Sequence, residues 1–363
     1  MKCFLSHIHA YASKDMFREH SYALLRTQKM PDQGLSMKTK LTILFVFVCV
    51  LLYLFTHSTD IWVPIGDHET LNDPHPCQND DFVPVHRKAV WTMLTDDPQY
   101  ILSAVKLGHS LLTHTTETRF DMVVMELTSK PLDSAAWSCL REMGWQRCVV
   151  DRIKPLDEIS IRIYEPRFLD QFTKLHLWNM TMYDTLLYLD SDTLTLRSIS
   201  HLLHHDLGNK SIAAAAQKWH GLFQGFNMGV FVIQPDTQEY QRLLAIQQDQ
   251  SVKFETYWAE QGFMNVVYKD KWDDLGFTNN ALTWMSWQNN AYWLHQYPMI
   301  NIIHYTGLKP WTCIPDVFEQ MLLAQAADYI PVCQVWRDVP SNTCNYFMTS
   351  SDTLTLASRP ASS

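Results

Sequence analysis

The chain has 363 residues, 47% of them apolar, which is enough for a sizeable core and for one large or two ordinary domains. A formal net charge of −9 argues against nucleic acid as a partner. The 13 tryptophans can pack a core or offer flat platforms to sugar rings and bases, with packing the default role for any one of them.

Residues 1–40 read as a cytosolic tail, followed at Leu41–Phe55 by an uncharged apolar run. At about 1.5 Å per residue the run covers roughly 22 Å, short beside the ~30 Å core of an average bilayer. Ile61 and Trp62 can extend it. Lys38 and Lys40 precede the run, and Asp60, Asp67 and Glu69 follow it. The positive-inside rule therefore gives a single N-terminal transmembrane helix, a type II signal anchor with the bulk of the chain across the membrane. A short span suits the Golgi or another thin secretory-pathway membrane. The competing reading is a cleaved signal peptide with Thr56 and Ser58 before the cut. Six cysteines, Cys77, Cys139, Cys148, Cys313, Cys333 and Cys344, then lie in the lumen without zinc-ligand spacing, and they permit fifteen disulfide pairings. Asn179-Met-Thr181 and Asn209-Lys-Ser211 have the form of glycosylation acceptors.

Residues 56–87 are polar, acidic and proline-bearing, and read as a stem. The apolar pattern then predicts a strand over Ala89–Leu94, a helix from Ile101 to Leu112, and a strand over Phe120–Leu127. A helix over 132–143, a strand over Cys148–Ile153 and a helix over 171–182 follow. This alternation is the signature of an α/β layered sheet spanning residues 88–340. Residues 341–363, rich in Ser and Thr, read as a flexible tail.

The chain is organised around Leu186-Leu-Tyr-Leu-Asp190-Ser-Asp192. Four apolar residues running into two carboxylates read as a buried strand, with the acidic pair at its carboxyl end, where ligands of α/β sheets gather. Carboxylates this close call for a cation, and oxygen-rich sites suit manganese or magnesium next to a substrate phosphate. The alternative is a plain turn after a strand. Three further stretches bear on the choice: Gly225–Pro235, a strand preceded by small and amide residues; Trp258–Asn265, a helix opening on Glu260 and Gln261; and Ile302–Trp311. The last ends a strand on His304, an imidazole suited to be a third metal ligand. It continues into a turn at Gly307 and then Lys309, a combination suited to phosphate.

Taken in order, Thr173-Lys174-Leu-His-Leu-Trp178, Tyr188-Leu-Asp190-Ser-Asp192-Thr-Leu, Phe226-Asn227-Met-Gly229-Val, Glu260-Gln261-Gly262 and His304 through Trp311 resemble the motif set of glycosyltransferase family 8, the glycogenin-like enzymes. The resemblance covers roughly residues 88–312 and comes nearest to plant-type members, some of which transfer glucuronic acid. It implies a GT-A fold, a Rossmann-like nucleotide-diphospho-sugar transferase with a mixed central sheet. It also implies a manganese- or magnesium-dependent, retaining transfer from a UDP-sugar, by front-face attack. Asp190, Asp192 and His304 would hold the metal. Leu94, Thr95, Asp97 and Tyr100 would cradle uridine, and Ser191 would lie in the same donor site. Lys174, Gly307 and Lys309 would meet sugar or phosphate, while Asn227, Glu260 and Gln261 would surround the reacting carbon.

This chain departs from the family at four places: Glu260 where Asp is usual, Trp258-Ala259 in place of a glycine pair, Asp97 where Asn is frequent, and Met228 where a small residue is common. Those nearest the sugar bear on which sugar is taken. Glycogenin's self-glucosylated tyrosine has no counterpart in Asn279–Trp287, so the expected acceptor is a separate glycan or glycolipid. Trp284, Trp287, Tyr292 and Trp293, with Asn289 and Asn290, are either an acceptor platform or core packing. Two other classes remain. An aspartyl phosphatase needs threonine where Leu194 stands. A carbohydrate-binding or scaffold protein on a dead transferase fold would show a broken metal triad, and here the triad is intact.

Overall fold

The computed structural model describes residues 76–79, 82–158, 161, 166–219, 222–307, 309–312 and 332–340. They belong to the second of two units into which the chain divides, Asp67–Ser363. The apolar run 41–55 and the tail 341–363 lie outside the described residues. Among the described residues no helix is long and apolar enough to cross a membrane.

The α/β alternation expected from Ala89 to the acidic strand is present. β1 (Lys88–Leu94), β2 (Asp121–Leu127), β3 (Trp145–Val150) and β4 (Thr185–Leu189) lie side by side and parallel, in the order β3-β2-β1-β4. Parallel neighbours need crossovers, and α1 (Pro98–His114) and α2 (Ser134–Glu142) supply the first two. Asp97 caps α1 by accepting from Gln99 N at 2.9 Å, with Pro98 at the first helical position. Asp133 caps α2 through Ala136 N at 2.7 Å. Gly108 lets α1 lie close on β3, since a Cβ there would stand 2.6 Å from Trp145 Nε1.

One strand is displaced from the expectation and one helix is of another type. β3 begins three residues earlier than Cys148, because Gly144, at φ +83°, turns the chain directly into it. Pro166–Asn179 is a 3-10 helix, not an α-helix over 171–182. Its buried Leu169, Phe172, Leu175 and Trp178 recur every three residues, the period at which 3-10 side chains stack above one another.

β6 (Ile212–Trp219), β7 (Leu222–Ile233) and β8 (Trp272–Asp274) complete a seven-stranded sheet, order β3-β2-β1-β4-β7-β6-β8. β7 runs antiparallel to both β4 and β6, so the sheet is mixed. Side chains of β4 alternate between faces. Leu187 and Leu189 join the core beneath α1 and α2. Tyr188 faces the other way and stacks on Phe231, which stacks on Trp178 of the 3-10 helix. A second, three-stranded sheet, order β5-β10-β9, joins β5 (Thr193–Thr195), β10 (Ile302–His304) and β9 (Ala281–Leu282).

The end of the segment read as stem is fastened to the domain. Cys77 is disulfide-bonded to Cys148 of β3. Gln78 N donates to Val149 O, and the Asn79 side chain bonds Arg147 O and Val149 N, all at 2.8 Å. The domain therefore begins at least ten residues before Ala89. Cys139 is also disulfide-bonded.

Candidate active site

In the strand order β3-β2-β1-β4, the direction of progression reverses between β1 and β4, and the cleft at the carboxyl ends of such a pair is where open α/β sheets bind ligands. Asp190 follows β4 directly, and its N–H donates to Gly229 O of β7 at 2.7 Å. A tight turn, Thr193 N to Asp190 O at 3.0 Å, swings the chain into β5, where Thr193 pairs with His304. Tyr305 N donates to Asp192 O at 3.0 Å. Backbone pairing alone thus brings His304 to an acidic pair more than a hundred residues before it in sequence.

His304 Nε2 lies 3.3 Å from Asp192 Oδ1 and 3.7 Å from Asp190 Oδ2. One ligand atom from each of the three residues falls within 4.8 Å of the others. His304 is buried, and its Nδ1 is 3.0 Å from Asn280 Oδ1. An amide oxygen only accepts, so Nδ1 carries a proton and Nε2 is the nitrogen that faces the two carboxylates. Gly229 lies against the cluster, with no room for a Cβ beside His304 and Asp190.

Two lysines flank the acidic pair. Lys309 forms an ion pair with Asp192 and donates to Tyr305 O at 3.1 Å. Burial would raise the Asp192 carboxyl, but Lys309 and His304 outweigh it and hold that carboxyl well below the usual range. Lys174, from the 3-10 helix, is almost fully buried, 3.0 Å from Asp190 Oδ1 and 2.9 Å from Glu260 Oε1. Burial opposes its charge, but Asp190 and Glu260 more than compensate, and the ammonium stays above its ordinary range. The Tyr188 hydroxyl donates to Asp190 Oδ1 at 2.9 Å. Burial and Asp190 push that phenol well above its ordinary pKa, so it remains a donor.

A string of amides continues from the histidine. Asn280 Nδ2 donates to Asn227 Oδ1 at 2.9 Å, and Asn227 Nδ2 donates to Gln217 Oε1 and Gln261 Oε1, each at 3.0 Å. Asn227 and Gln261 are therefore joined to the cluster through amides and Glu260 through Lys174. Glu260 and Gln261 lie in the first turn of α3 (Ala259–Val267). Ala259, where the family has glycine, sits at φ +48° and ψ −128°.

The remaining sequence-selected residues lie at the mouth of β1. Leu94 ends the strand and is buried, and Ser191 is buried between the two aspartates in sequence. Thr95 is half-buried, and Asp97 is exposed with one oxygen used as the α1 cap. Tyr100 packs edge-on against Trp311 at 4.8 Å, and Lys309 Nζ is 5.9 Å from the Tyr100 ring centroid. Gly307 takes φ +81° at an exposed turn, a conformation that favours glycine.

Of the aromatic residues considered for an acceptor, Trp293 is core, packed edge-on against Phe277. Trp284 is half-buried and Tyr292 is 39% exposed. Asn289 is a helix cap, accepting from Tyr292 N. The side chains of Trp287 and Asn290 lie outside the described set. The sequence did not single out Asn280, Gln217 or Tyr188 for the site. Each is found only through what it touches.

Residues 92–314 match glycosyl transferase family 8. The chain belongs to that family. Its plant relatives include UDP-glucuronate:xylan alpha-glucuronosyltransferase 2 of Arabidopsis thaliana, 26% identical over 67% of this chain and 40% of that protein. Glycogenin-1 of Caenorhabditis elegans is 29% identical over 61% of this chain and 50% of that protein. The chain thus spans half or less of the length of these family members. Among solved structures, the glycosyltransferase GlyE of Streptococcus pneumoniae TIGR4 aligns with a TM-score of 0.49 at 20% identity, covering 73% of this chain and 64% of that one.

Proposed function

We propose that this family 8 protein is a divalent-metal-dependent, retaining GT-A glycosyltransferase that moves a sugar from a UDP-sugar to a separate glycan or glycolipid. The observation that carries this reading is the convergence of Asp190, Asp192 and His304 at the carboxyl end of β4. Two carboxylates and an imidazole with its Nε2 directed inward form a donor set that fits manganese or magnesium. A bound ion there would neutralise charge on the departing diphosphate.

The chain's own residues supply the rest. Lys309, beside Asp192, takes up phosphate charge. Tyr100 and Thr95, at the mouth of β1, border the uridine. Tyr188 and Lys174 hold Asp190 by its Oδ1, leaving Oδ2 toward His304. Asn227 and Gln261 stand along the sugar.

Anchoring through residues 41–55, with the catalytic domain in a Golgi-type lumen, rests on the charge asymmetry of the sequence. The disulfides suit such an oxidising compartment.

The test is UDP release by the full chain with manganese and a UDP-sugar. Chelation, or Asp190→Asn, is expected to lower it on the order of a hundredfold or more. Undiminished release under chelator would overturn the metal-dependent mechanism.

A further inference from the structure

The two stretches with the form of N-glycosylation acceptors are presented differently by the fold. Asn179 ends the 3-10 helix between Trp178 and Met180, both buried, and is itself half-buried. Its Oδ1 accepts from the Thr237 hydroxyl at 3.0 Å, where the helix Thr237–Gln248 begins. The Asn179 carboxamide is thus fastened between two elements of the domain. Asn209, by contrast, is exposed at the tip of a turn that Lys210 N closes by donating to Leu207 O at 2.8 Å. Gly208 leads into that tip at φ +55°, and a Cβ placed on it would meet nothing within 4 Å. Among the described residues, nothing hydrogen-bonds the Asn209 carboxamide.

The turn itself is well anchored. Ser211 N donates to Lys271 O at 2.8 Å, Lys210 Nζ donates to Asp270 O at 3.3 Å, and from Ile212 onward β6 pairs parallel with β8, the last strand of the sheet. The register also sets this turn apart from the metal-binding residues. Val232 of β7 pairs with Leu187 of β4 on one side and Ala213 of β6 on the other, so β4 and β6 run the same way with these two residues level. Asp190 lies three residues after Leu187, and Asn209 four residues before Ala213. A bulky group on Asn209 therefore stands at the amino ends of the strands and leaves the cleft at their carboxyl ends open.

We infer that Asn209, and not Asn179, carries an N-linked glycan, an inference that rests on the lumenal placement proposed above. Lys210 in the middle position is not proline, and Ser211 supplies the hydroxyl that such an acceptor needs. Asn209 Nδ2 gives up one proton and bonds to the anomeric carbon of an oligosaccharide held on a membrane lipid diphosphate. The bond from that carbon to the diphosphate oxygen breaks, and the lipid diphosphate leaves, with nothing oxidised or reduced. The attached glycan is bulky and hydrophilic, so the folded domain accommodates it only where the surface leaves room. The tip at Gly208-Asn209 leaves room, whereas the space beside Asn179 is taken by Thr237 and its helix.

The experiment expresses the full chain in a eukaryotic cell and cleaves its N-glycans with a peptide N-glycosidase in heavy-oxygen water, which turns each glycosylated asparagine into a labelled aspartate. Mass spectrometry of the peptides should find the label at position 209 and unlabelled asparagine at 179. On gels, the glycosidase should increase the mobility of the unaltered protein and of Asn179→Gln. That shift should be lost in both Asn209→Gln and Ser211→Ala, and kept in Ser211→Thr. Protease treatment of sealed microsomes from the same cells reports separately on orientation. A protected domain with Asn209 unlabelled, or with the label on Asn179, overturns this inference and leaves the lumenal placement standing. A domain digested without detergent overturns both.

Discussion

A methyl group placed on Gly229 would stand 2.1 Å from Cε1 of His304. It would also lie 2.7 Å from His304 Nδ1 and 2.8 Å from Asp190 Oδ2. Neither neighbour can yield cheaply, since Nδ1 is bonded to Asn280 and Asp190 is held by Tyr188 and Lys174. Gly229→Ala should therefore cost about 1–3 kcal/mol of stability through overpacking. It should also lower UDP release roughly a hundredfold by displacing two ligands. Thermal unfolding and a turnover assay measure the two effects, and normal turnover would mean the close contact does not set the ligand geometry.

Asn280 fixes the tautomer of His304 without being a ligand itself. Asn280→Ala is expected to weaken manganese binding about 10- to 100-fold, as loss of such supporting partners does elsewhere. Asn280→Asp keeps an acceptor for Nδ1–H and should retain more. Electron paramagnetic resonance of added manganese distinguishes them. Equal affinities for all three proteins would remove Asn280 from the account.

Ala259 holds a conformation at φ +48° and ψ −128° that favours glycine. Such strain costs about 1–3 kcal/mol. Against this, glycine adds roughly 0.5–1 kcal/mol of unfolded-chain entropy. Relief outweighs entropy, so Ala259→Gly should stabilise the protein by about 1 kcal/mol, read as a higher urea midpoint. A lower midpoint would mean that the alanine methyl, buried as it is, contributes packing worth more than its strain.

Lys106 of α1 reaches the carbonyls that end α4 (Val332–Asp338), donating to Trp336 O at 3.0 Å and Arg337 O at 3.4 Å. It lies 4.5 Å from the centroid of the Trp336 ring. Burial, partly offset by Asp338, pulls its pKa from 10.5 to about 8. The unfolded chain keeps that proton to about 10.5, so between these values unfolding takes up a proton and this group makes stability rise with pH. Lys106→Met has no such proton. Urea midpoints of the two proteins should therefore diverge above pH 8 in favour of the unaltered one. Parallel profiles would show that Lys106 titrates as it does in the unfolded chain.

Much of the site is legible in the sequence because its parts are local. Neither the apolar run closing on Asp190 and Asp192 nor the short strand ending on His304 decides alone, but the ordered set of motifs from Thr173 to Trp311 does. Lys174 is visible as part of a motif, but its burial between two carboxylates is not, because Glu260 lies 86 residues away. Asn280 and Asn227 are 53 residues apart, and nothing in either neighbourhood marks the bond between them. The period of three in Leu169, Phe172, Leu175 and Trp178 stands in the sequence. It is read as an α-helix only when near-misses to 3.6 are accepted. Trp293 illustrates the converse, an aromatic that suggests a sugar platform and turns out to pack the core.

The strap from Cys77 to Asn79 does more than begin the domain. β3 ends the sheet, and an end strand exposes unpaired N–H and C=O groups that invite a strand from another molecule. The chain's own entering segment occupies part of that edge, bonding Arg147 O, Val149 N and Val149 O, and the disulfide holds it in place. A soluble fragment cut at residue 88 would lose this guard and leave Cys148 as an unpaired thiol beside the bare edge. Such a fragment should form disulfide-linked and strand-paired aggregates. One beginning near Asp67 should stay monodisperse.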